Sequence, residues 1–194
     1  VENAIELSVI VARNSNGDIQ TFPTAEMEFD PKANLVEFLF APAQITQEIE
    51  EKAKRIAMDC VIKLQGVGLF AVEMFLDAQG NIFVNEIAPR PHNSGHHTIE
   101  CCLTSQFEQH MRSVLNMPLG ATDLRCPGVM INLLGEAGYE GDAVYKNSNE
   151  VLNESTSLWM SHRQFNEMRK DSVTRFSIGP LNVREFRYAG HEQI

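Results

Sequence analysis

Apolar and polar residues follow two periods along this chain, and the shorter period predicts β-strands. Six runs are rich in β-branched and aromatic residues and end at turn-forming residues. The predicted strands are 5–13, 18–22, 34–40, 69–76, 81–87 and 128–134. The sequence Asn14-Ser15-Asn16-Gly17 predicts a turn between the first two strands.

Two further stretches, 46–62 and 105–116, have the 3.6-residue period of an amphipathic helix. Thr46 is the expected N-cap of the first, and Ser105 and Glu108 occupy capping-box positions in the second. The first helix is expected to bury the face formed by Ile49, Ala53, Ile56, Ala57 and Cys60. The second is expected to bury the face formed by Phe107, Met111, Val114 and Leu115.

Composition and charge narrow the classes of function. The chain has 194 residues, of which 43% are hydrophobic, so one domain with a real core is expected. The net charge is −10, and Lys and Arg do not cluster, which argues against a surface that binds nucleic acid. The sequence predicts neither a membrane span nor a signal peptide.

The four cysteines are spaced like neither a zinc site nor a disulfide framework. The four are Cys60, Cys101, Cys102 and Cys126, of which adjacent Cys101 and Cys102 are predicted to be small buried residues in a reducing compartment. A cytoplasmic location is therefore expected.

Two glutamates lie inside strongly apolar strands of a predicted hairpin. Glu73 is in FAVEMF and Glu86 is in FVNEIA. Burying an isolated carboxylate costs several kcal/mol unless a cation or hydrogen bonds compensate it. Two such residues on neighbouring strands therefore suggest a bound cation. The alternative is a pair of solvent-facing or salt-bridged glutamates.

The turn of this hairpin decides whether the two glutamates can meet. If Asp77–Gly80 is a four-residue loop with Gly80 left-handed, Glu73 faces Val84. Glu86 is then a diagonal neighbour on the same face, with about 7–8 Å between the Cα atoms. A loop shorter by one residue would move Glu86 to the other face. Oxygen ligands of this kind favour Mg²⁺, which also binds water and substrate phosphates.

The densest group of polar side chains follows the second glutamate, in the run EIAPRPHNSGHH at 86–97. Two prolines and a glycine break regular structure there, so the run is predicted to form the floor of an anion site and not a packed core. Arg90 lies between two prolines and suits bidentate binding of phosphate or carboxylate. His92 can donate a hydrogen bond or accept a proton near neutral pH. A phosphate could be held by Asn93, Ser94 and the backbone of Gly95.

The remaining histidines carry weaker predictions. His96 and His97 are expected to cap or line the loop. A zinc site with His92 is the less favoured alternative, because H-x-x-x-H-H in a Pro/Gly loop has no established ligand spacing. Structural roles are expected for His110, His162 and His191.

These motifs resemble a known family. The run VNEIAPRPHNSGHHTIE, with FAVEMF before it and TSQFEQHMRSVLNMPLG after it, is similar to the 5-(carboxyamino)imidazole ribonucleotide synthetases. Those enzymes are ATP-grasp ligases of purine biosynthesis. The run ELSVIVAR near the start resembles the central strand of the same family, and the likeness covers roughly residues 5–145.

The resemblance implies a reaction and a set of site residues. ATP would phosphorylate bicarbonate to carboxyphosphate, which would carboxylate the amine of 5-aminoimidazole ribonucleotide. Glu73 and Glu86 match the family's Mg²⁺ ligands at the ATP phosphates, and Glu6 matches a position near the nucleotide ribose. The loop around aminoimidazole ribonucleotide and the bicarbonate-derived group would comprise Arg90, His92, Asn93 and Ser94.

Catalytic roles are expected for two residues of that loop. Arg90 would stabilise developing negative charge, and His92 would orient the substrate or transfer a proton. The site must also exclude water, because carboxyphosphate hydrolyses readily. The expected partners are the small-molecule substrates, and a homodimer is expected.

The implied fold is α+β: the C-terminal half of an ATP-grasp domain, with an antiparallel sheet and helices on one face. This lobe would cover 1–119, and a small β-rich subdomain would cover 120–194. Residues after about 146 have no clear period and do not align with the family. A shifted reading frame after about residue 150 is one hypothesis for this tail.

The family's preATP-grasp domain and its glycine-rich lid with the ATP-binding lysine are not found in this sequence. The chain begins at Val1, and a strand follows almost at once, which suggests that a natural N-terminal part is missing. Two other functions therefore stay open. One is a formate-dependent glycinamide ribonucleotide transformylase, which shares the two glutamates and a similar loop. The other is a non-catalytic remnant that binds nucleotide weakly or acts only in a dimer interface.

Overall fold

The computed structural model of the protein describes residues 4–30 and 35–132, where seven strands form one antiparallel sheet. The strands are β1 (Ile5–Arg13), β2 (Ile19–Thr21), β3 (Ala25–Asp30), β4 (Leu35–Ala41), β5 (Gly68–Leu76), β6 (Ile82–Ala88) and β7 (Gly128–Ile131). Their order is β6-β5-β1-β3-β4-β7, and β2 pairs with part of β1. The α+β class and the antiparallel sheet predicted from the sequence are confirmed.

Three helices accompany the sheet in this part of the chain: α1 (Gln47–Leu64), α2 (Thr98–Cys101) and α3 (Gln106–Val114). The predicted caps are confirmed, since the hydroxyls of Thr46 and Ser105 accept hydrogen bonds from the first turns of α1 and α3. Gln65 ends α1 in a left-handed conformation, with φ of 53°. None of the helices in the described ranges is long and apolar enough to cross a membrane.

Both faces of the central strand β1 are covered. Leu7, Val9 and Val11 pack against α1 through Ala53, Ala57 and Val61 of the helix. The alternate residues Ile10 and Ala12 point to the opposite face, where they join a cluster with Cys102 at the end of α2. The prediction that helices lie on one face only is therefore wrong: α1 and α2 lie on opposite faces.

The prediction of the sheet missed β3, whose sequence is AEMEFD. Its apolar residues Ala25 and Met27 alternate with glutamates, so the segment lacks the continuous apolar run that marks β1 and β5. β3 nevertheless lies inside the sheet, because Ala25 and Met27 pack with Leu39 of β4 in a third cluster. The predicted strand at 128–134 is present as β7 over Gly128–Ile131, and it pairs with β4 at the end of the strand order.

The predicted buried face of α3 is wrong. Its buried side chains are the polar ones, Gln106, Gln109 and Ser113. The apolar residues expected there, Phe107, Met111, Val114 and Leu115, are 40–62% exposed. The reason is that the buried side chains hydrogen-bond to backbone groups: Gln109 donates to the carbonyl of Gly120 at 2.8 Å and accepts from its N–H at 2.8 Å. These bonds satisfy the amide group and make its burial tolerable.

Several predictions fall on residues outside the described ranges. They include most of the expected C-terminal subdomain, the tail after about residue 146, the frameshift hypothesis and the structural roles of His162 and His191. The proposed division of the chain into 1–119 and 120–194 stays a prediction.

Candidate active site

Glu73 and Glu86 lie directly opposite each other on β5 and β6. Residues that face each other across an antiparallel pair project to the same side of the sheet, with Cβ atoms about 4.5–5.5 Å apart. The two carboxylates therefore share one face of the hairpin, as a common cation would require. The sequence predicted a shared face but placed Glu73 opposite Val84.

Two deviations from the predicted register cancel each other. The hairpin loop is one residue longer than expected, because Leu76 pairs with Ile82 and the N–H of Asp77 bonds to the carbonyl of Asn81 at 3.0 Å. This shift alone would turn Glu86 to the other face. A β-bulge then occurs between Glu73 and Met74, and the extra residue opposite it restores the orientation.

The loop itself is held by Asp77, whose carboxylate accepts hydrogen bonds from the backbone of Gln79 and Asn81 at 2.9 and 2.8 Å. A third bond comes from the side-chain amide of Asn81 at 2.9 Å, and these bonds from Asn81 lower the pKa of Asp77. Gly80 has a φ of 80°, as the sequence predicted, which favours glycine at this position.

Glu6 and Ser8 of β1 extend the carboxylate pair into a polar row. Ser8 pairs directly with Glu73, and Glu6 lies two residues away on the same face of β1. The row therefore runs from β1 through β5 to β6. Ile10 and Ala12 continue this face of β1 as an apolar cluster, so the polar row begins where the apolar cover ends.

The electrostatics of the row favour a bound cation. Burial raises the pKa of Glu73, and the charges of Glu86 and Glu6 raise it further, while Arg90 partly opposes them. Burial also raises the pKa of Glu6. Neighbouring carboxylates are hard to ionise because their negative charges repel each other. A divalent cation bound between them makes those charges favourable.

The donor set fits magnesium better than zinc. Within 4–30 and 35–132, no group of three or more His, Cys, Asp or Glu side chains converges to hold a metal. Mg²⁺ commonly takes only one or two carboxylates from the protein and completes its shell with water and substrate phosphates. Glu73 and Glu86 supply that number, whereas a structural zinc site needs four protein ligands.

The arginine and histidine of the following loop lie beside this row. Arg90 is exposed, and its guanidinium donates to the carbonyl of Pro91 at 3.1 Å, which leaves most of its donors for an anion. The Nε2 atom of His92 lies 3.6 Å from Oε1 of Glu73. Burial lowers the pKa of His92 and Arg90 lowers it further, so this contact joins a neutral imidazole to a carboxylate.

The loop is more tightly packed than the sequence indicated. Ser94 and Gly95 are buried within a 3-10 turn at Asn93–Gly95, and His97 and Thr98 are buried beside it. The expectation that the run 86–97 cannot be packed is wrong for Ser94, Gly95 and His97, although Arg90 remains exposed. Asn93 is half-buried and starts the turn, in which its carbonyl accepts from the N–H of His96 at 3.0 Å.

Gln106 fixes the backbone of His92 and was missed in the sequence. Its amide donates to the carbonyl of His92 at 2.8 Å and accepts from the N–H of His92 at 2.9 Å. The backbone of Gly95 lies so close to this amide that a side chain at position 95 would collide with it. The available signal was the polar stripe of α3, since Gln106, Gln109 and Ser113 recur at helical spacing.

The other buried polar side chains near the loop are structural. Burial lowers the pKa of His97 to about 4, although an interaction with the backbone of Ser94 partly opposes this shift. His96 stacks on Phe107 with 5.9 Å between ring centroids. Cys101 and Cys102 are buried as predicted, and burial raises the pKa of each thiol to about 12.

Comparison with known proteins identifies the fold family of this site. The ATP-grasp domain family matches residues 1–107, which is more than half of the chain. The chain belongs to the ATP-grasp family. The N5-carboxyaminoimidazole ribonucleotide synthase of Bacillus subtilis is 52% identical over 132 residues, which are 68% of this chain and 34% of that protein.

Solved structures agree with this ATP-grasp assignment. N5-carboxyaminoimidazole ribonucleotide synthetase from Thermotoga maritima is 51% identical, with a TM-score of 0.69 over 76% of this chain and 39% of that one. The Aspergillus clavatus enzyme, solved with ADP and 5-aminoimidazole ribonucleotide, is 38% identical, with a TM-score of 0.65 over 70% of this chain and 36% of that one. The chain thus spans about a third of the length of these relatives.

The ATP-grasp sheet brings most of the predicted site residues together. Glu6, Glu73 and Glu86 share one face, and Arg90 and His92 border it. Ser94 lies behind His92, where its hydroxyl is fully buried and bonded to other side chains. Ser8 and Gln106 are the further residues of the site that the sequence did not reveal.

Proposed function

We propose that this ATP-grasp chain carries the metal- and substrate-binding part of a ligase that carboxylates the amine of 5-aminoimidazole ribonucleotide. ATP and bicarbonate are the proposed co-substrates, and the reaction belongs to purine biosynthesis. The observation that carries the proposal is the facing pair Glu73 and Glu86 beside Arg90 and His92. The relatives named for this reaction, one of them solved with ADP and aminoimidazole ribonucleotide, support the choice of substrate.

In this proposal Glu73 and Glu86 hold Mg²⁺, and Glu6 lies nearest the nucleotide ribose. A bound Mg²⁺ would supply positive charge that offsets the negative charge of the phosphate groups during phosphoryl transfer. The chain's own contribution is to set both carboxylates on one face through the bulge beside Glu73. The cost of crowding their charges is incurred during folding, so the site is preorganised for a cation.

The loop residues act on the second substrate. The exposed guanidinium of Arg90 binds the anionic, bicarbonate-derived group with a geometry suited to two oxygens. The pKa of the His92 imidazole is lowered by burial, so the ring is neutral at neutral pH and can donate a hydrogen bond from its N–H to the substrate. Asn93 lines the same turn, and the buried Ser94 acts through His92 and does not contact the substrate with its hydroxyl.

An assay with two competing substrate sets tests this proposal. ATP hydrolysis by the protein should be stimulated by aminoimidazole ribonucleotide with bicarbonate. Stimulation by glycinamide ribonucleotide with formate instead would favour the transformylase. Failure of both sets, together with no tight Mg-dependent binding of ATP in calorimetric titration, would favour a non-catalytic remnant.

Two further parts of the proposal rest on the sequence alone. A homodimer is expected, and analytical ultracentrifugation over a range of concentrations would test it. A cytoplasmic location is expected from the cysteines, and fractionation of cells that express the protein would test it.

A further inference from the structure

A chain of side-chain contacts connects the central strand with the candidate metal ligand. The hydroxyls of Ser8 and Ser94 are 2.7 Å apart, and the hydroxyl of Ser94 is 2.9 Å from Nδ1 of His92. At the far side of the ring, Nε2 of His92 lies 3.6 Å from Glu73. Ser8 and Glu73 are themselves neighbours, because they are paired across β1 and β5.

The hydrogen-bond pattern assigns the proton on His92. The backbone N–H of Ser94 points at Nδ1 with an N···N distance of 3.3 Å, and an N–H group can only donate. Nδ1 is therefore the acceptor, and the neutral ring carries its proton on Nε2, towards Glu73. The hydroxyl of Ser94 can donate to the same nitrogen, provided that its oxygen is held at the observed place.

Ser8 is the group that holds this oxygen. Ser8 is 1% exposed and Ser94 is 0% exposed. The other residues of ELSVIVA from Leu7 onward are apolar, so the buried hydroxyl of Ser8 needs a hydrogen-bond partner. When Ser8 donates to Ser94, the proton of Ser94 is free to point at Nδ1. Hydrogen bonds joined in this way strengthen one another in a dry environment.

We propose that Ser8 is a positioning residue that acts through Ser94 to hold His92 as the Nε2–H tautomer facing Glu73. The inference deepens the proposed function, in which His92 serves the substrate, and it rests on that function for its biological meaning. The geometric claim stands separately, because the tautomer of His92 can be measured without any substrate.

The test is to read the ring nitrogens of His92 by NMR of the ¹⁵N-labelled chain, at a pH where the imidazole is neutral. The variant His92→Gln assigns the signals. The wild type should show a protonated Nε2 and an unprotonated Nδ1. Since one hydrogen bond is worth about 0.5–1.5 kcal/mol, Ser8→Ala should change the ratio of the two tautomers by about 2- to 10-fold towards Nδ1–H.

Two further variants separate positioning from general stability. Ser8→Thr keeps a hydroxyl on a strand-compatible residue and should restore the wild-type ratio. Ser113→Ala is the matched control, because Ser113 is also fully buried with one side-chain hydrogen bond, to the carbonyl of Gln109 at 2.8 Å, away from the site. It should leave the signals of His92 unchanged.

Three results would overturn the proposal: an Nδ1–H tautomer in the wild type, an unchanged ratio in folded Ser8→Ala, or an equal shift in Ser113→Ala. If Ser8→Ala does not fold, Ser94→Ala decides, because it removes the same link one step later and should shift the ratio at least as far. A negative carboxylation assay with the expected tautomer would count against the proposed function alone.

Discussion

Without a ligand, the variant Glu86→Gln should be more stable than the wild type. With a bound ligand, it should be less stable than the wild type. In the free protein, Glu86 faces Glu73, whose side chain is only 13% exposed, and the two charges repel each other. At about 5 Å, two unit charges repel by roughly 1 kcal/mol in water and about 3 kcal/mol at an effective dielectric constant of 20. Because Glu86 is exposed, the lower figure applies, and we expect a gain of about 1 kcal/mol.

Mg-ADP should reverse the order of the two proteins. A ligand that binds only the folded state at 100 times its Kd stabilises that state by about 2.7 kcal/mol. The wild type should gain this amount, and Glu86→Gln should gain little, because one of its two proposed metal ligands is lost. Urea unfolding followed by circular dichroism, with EDTA and then with Mg-ADP, measures both differences.

Glu108→Gln is the matched control for this experiment. Glu108 is a surface glutamate of α3 that pairs with Arg112 at 2.7 Å, and its loss should change stability by less than about 1 kcal/mol in either buffer. Equal stabilisation of wild type and Glu86→Gln by Mg-ADP would refute the shared metal site. A loss of stability in Glu86→Gln under EDTA would refute the claim that the two carboxylates repel each other.

Other substitutions test the loop. Gln106→Ala should cost about 1–3 kcal/mol in urea unfolding, because it leaves the N–H and carbonyl of His92 without partners. Gly95→Ala should cost a similar roughly 1–3 kcal/mol, because its methyl group would displace the amide of Gln106; a neutral effect of either change would contradict this packing. Arg90→Lys should weaken binding of the anionic substrate about 10-fold in calorimetric titration, since lysine lacks the bidentate fork, and unchanged affinity would exclude a bidentate contact. The pKa of His97 is lowered to about 4 from 6.5, so the unfolded state binds more protons between those values and stability should rise with pH across that window. His97→Phe should flatten this rise, and an unchanged slope would assign it to other groups.

The sequence predicted the shared face of Glu73 and Glu86 for a reason that was only partly correct. The apolar residues that flank both glutamates indicated that their charges need a partner, and this inference does not depend on the strand register. The register itself depends on a five-residue loop and a bulge, and neither has a clear sequence signal. The two errors cancel because side-chain direction has a period of two along a strand.

The hydrophobic period predicted the wrong buried face for α3, because the buried side chains of this helix meet backbone groups and not apolar side chains. The side-chain amides of Gln106 and Gln109 each donate to a backbone carbonyl and accept from a backbone N–H of the same residue. Such a contact depends on tertiary structure, and the local sequence contains only the polar stripe. Cap residues were predictable for the opposite reason, since Thr46 and Ser105 act within one helical turn.

A crystal structure of the chain with ADP and Mn²⁺, which can replace Mg²⁺ and gives an anomalous signal, tests the central claim most directly. We predict one anomalous peak between Glu73 and Glu86, within bonding distance of an oxygen of each carboxylate, which for Mg²⁺ is about 2.0–2.1 Å. The nucleotide phosphates should complete its coordination. A peak bound by neither glutamate, or by one while the other points to the opposite face of the sheet, would contradict the shared metal site.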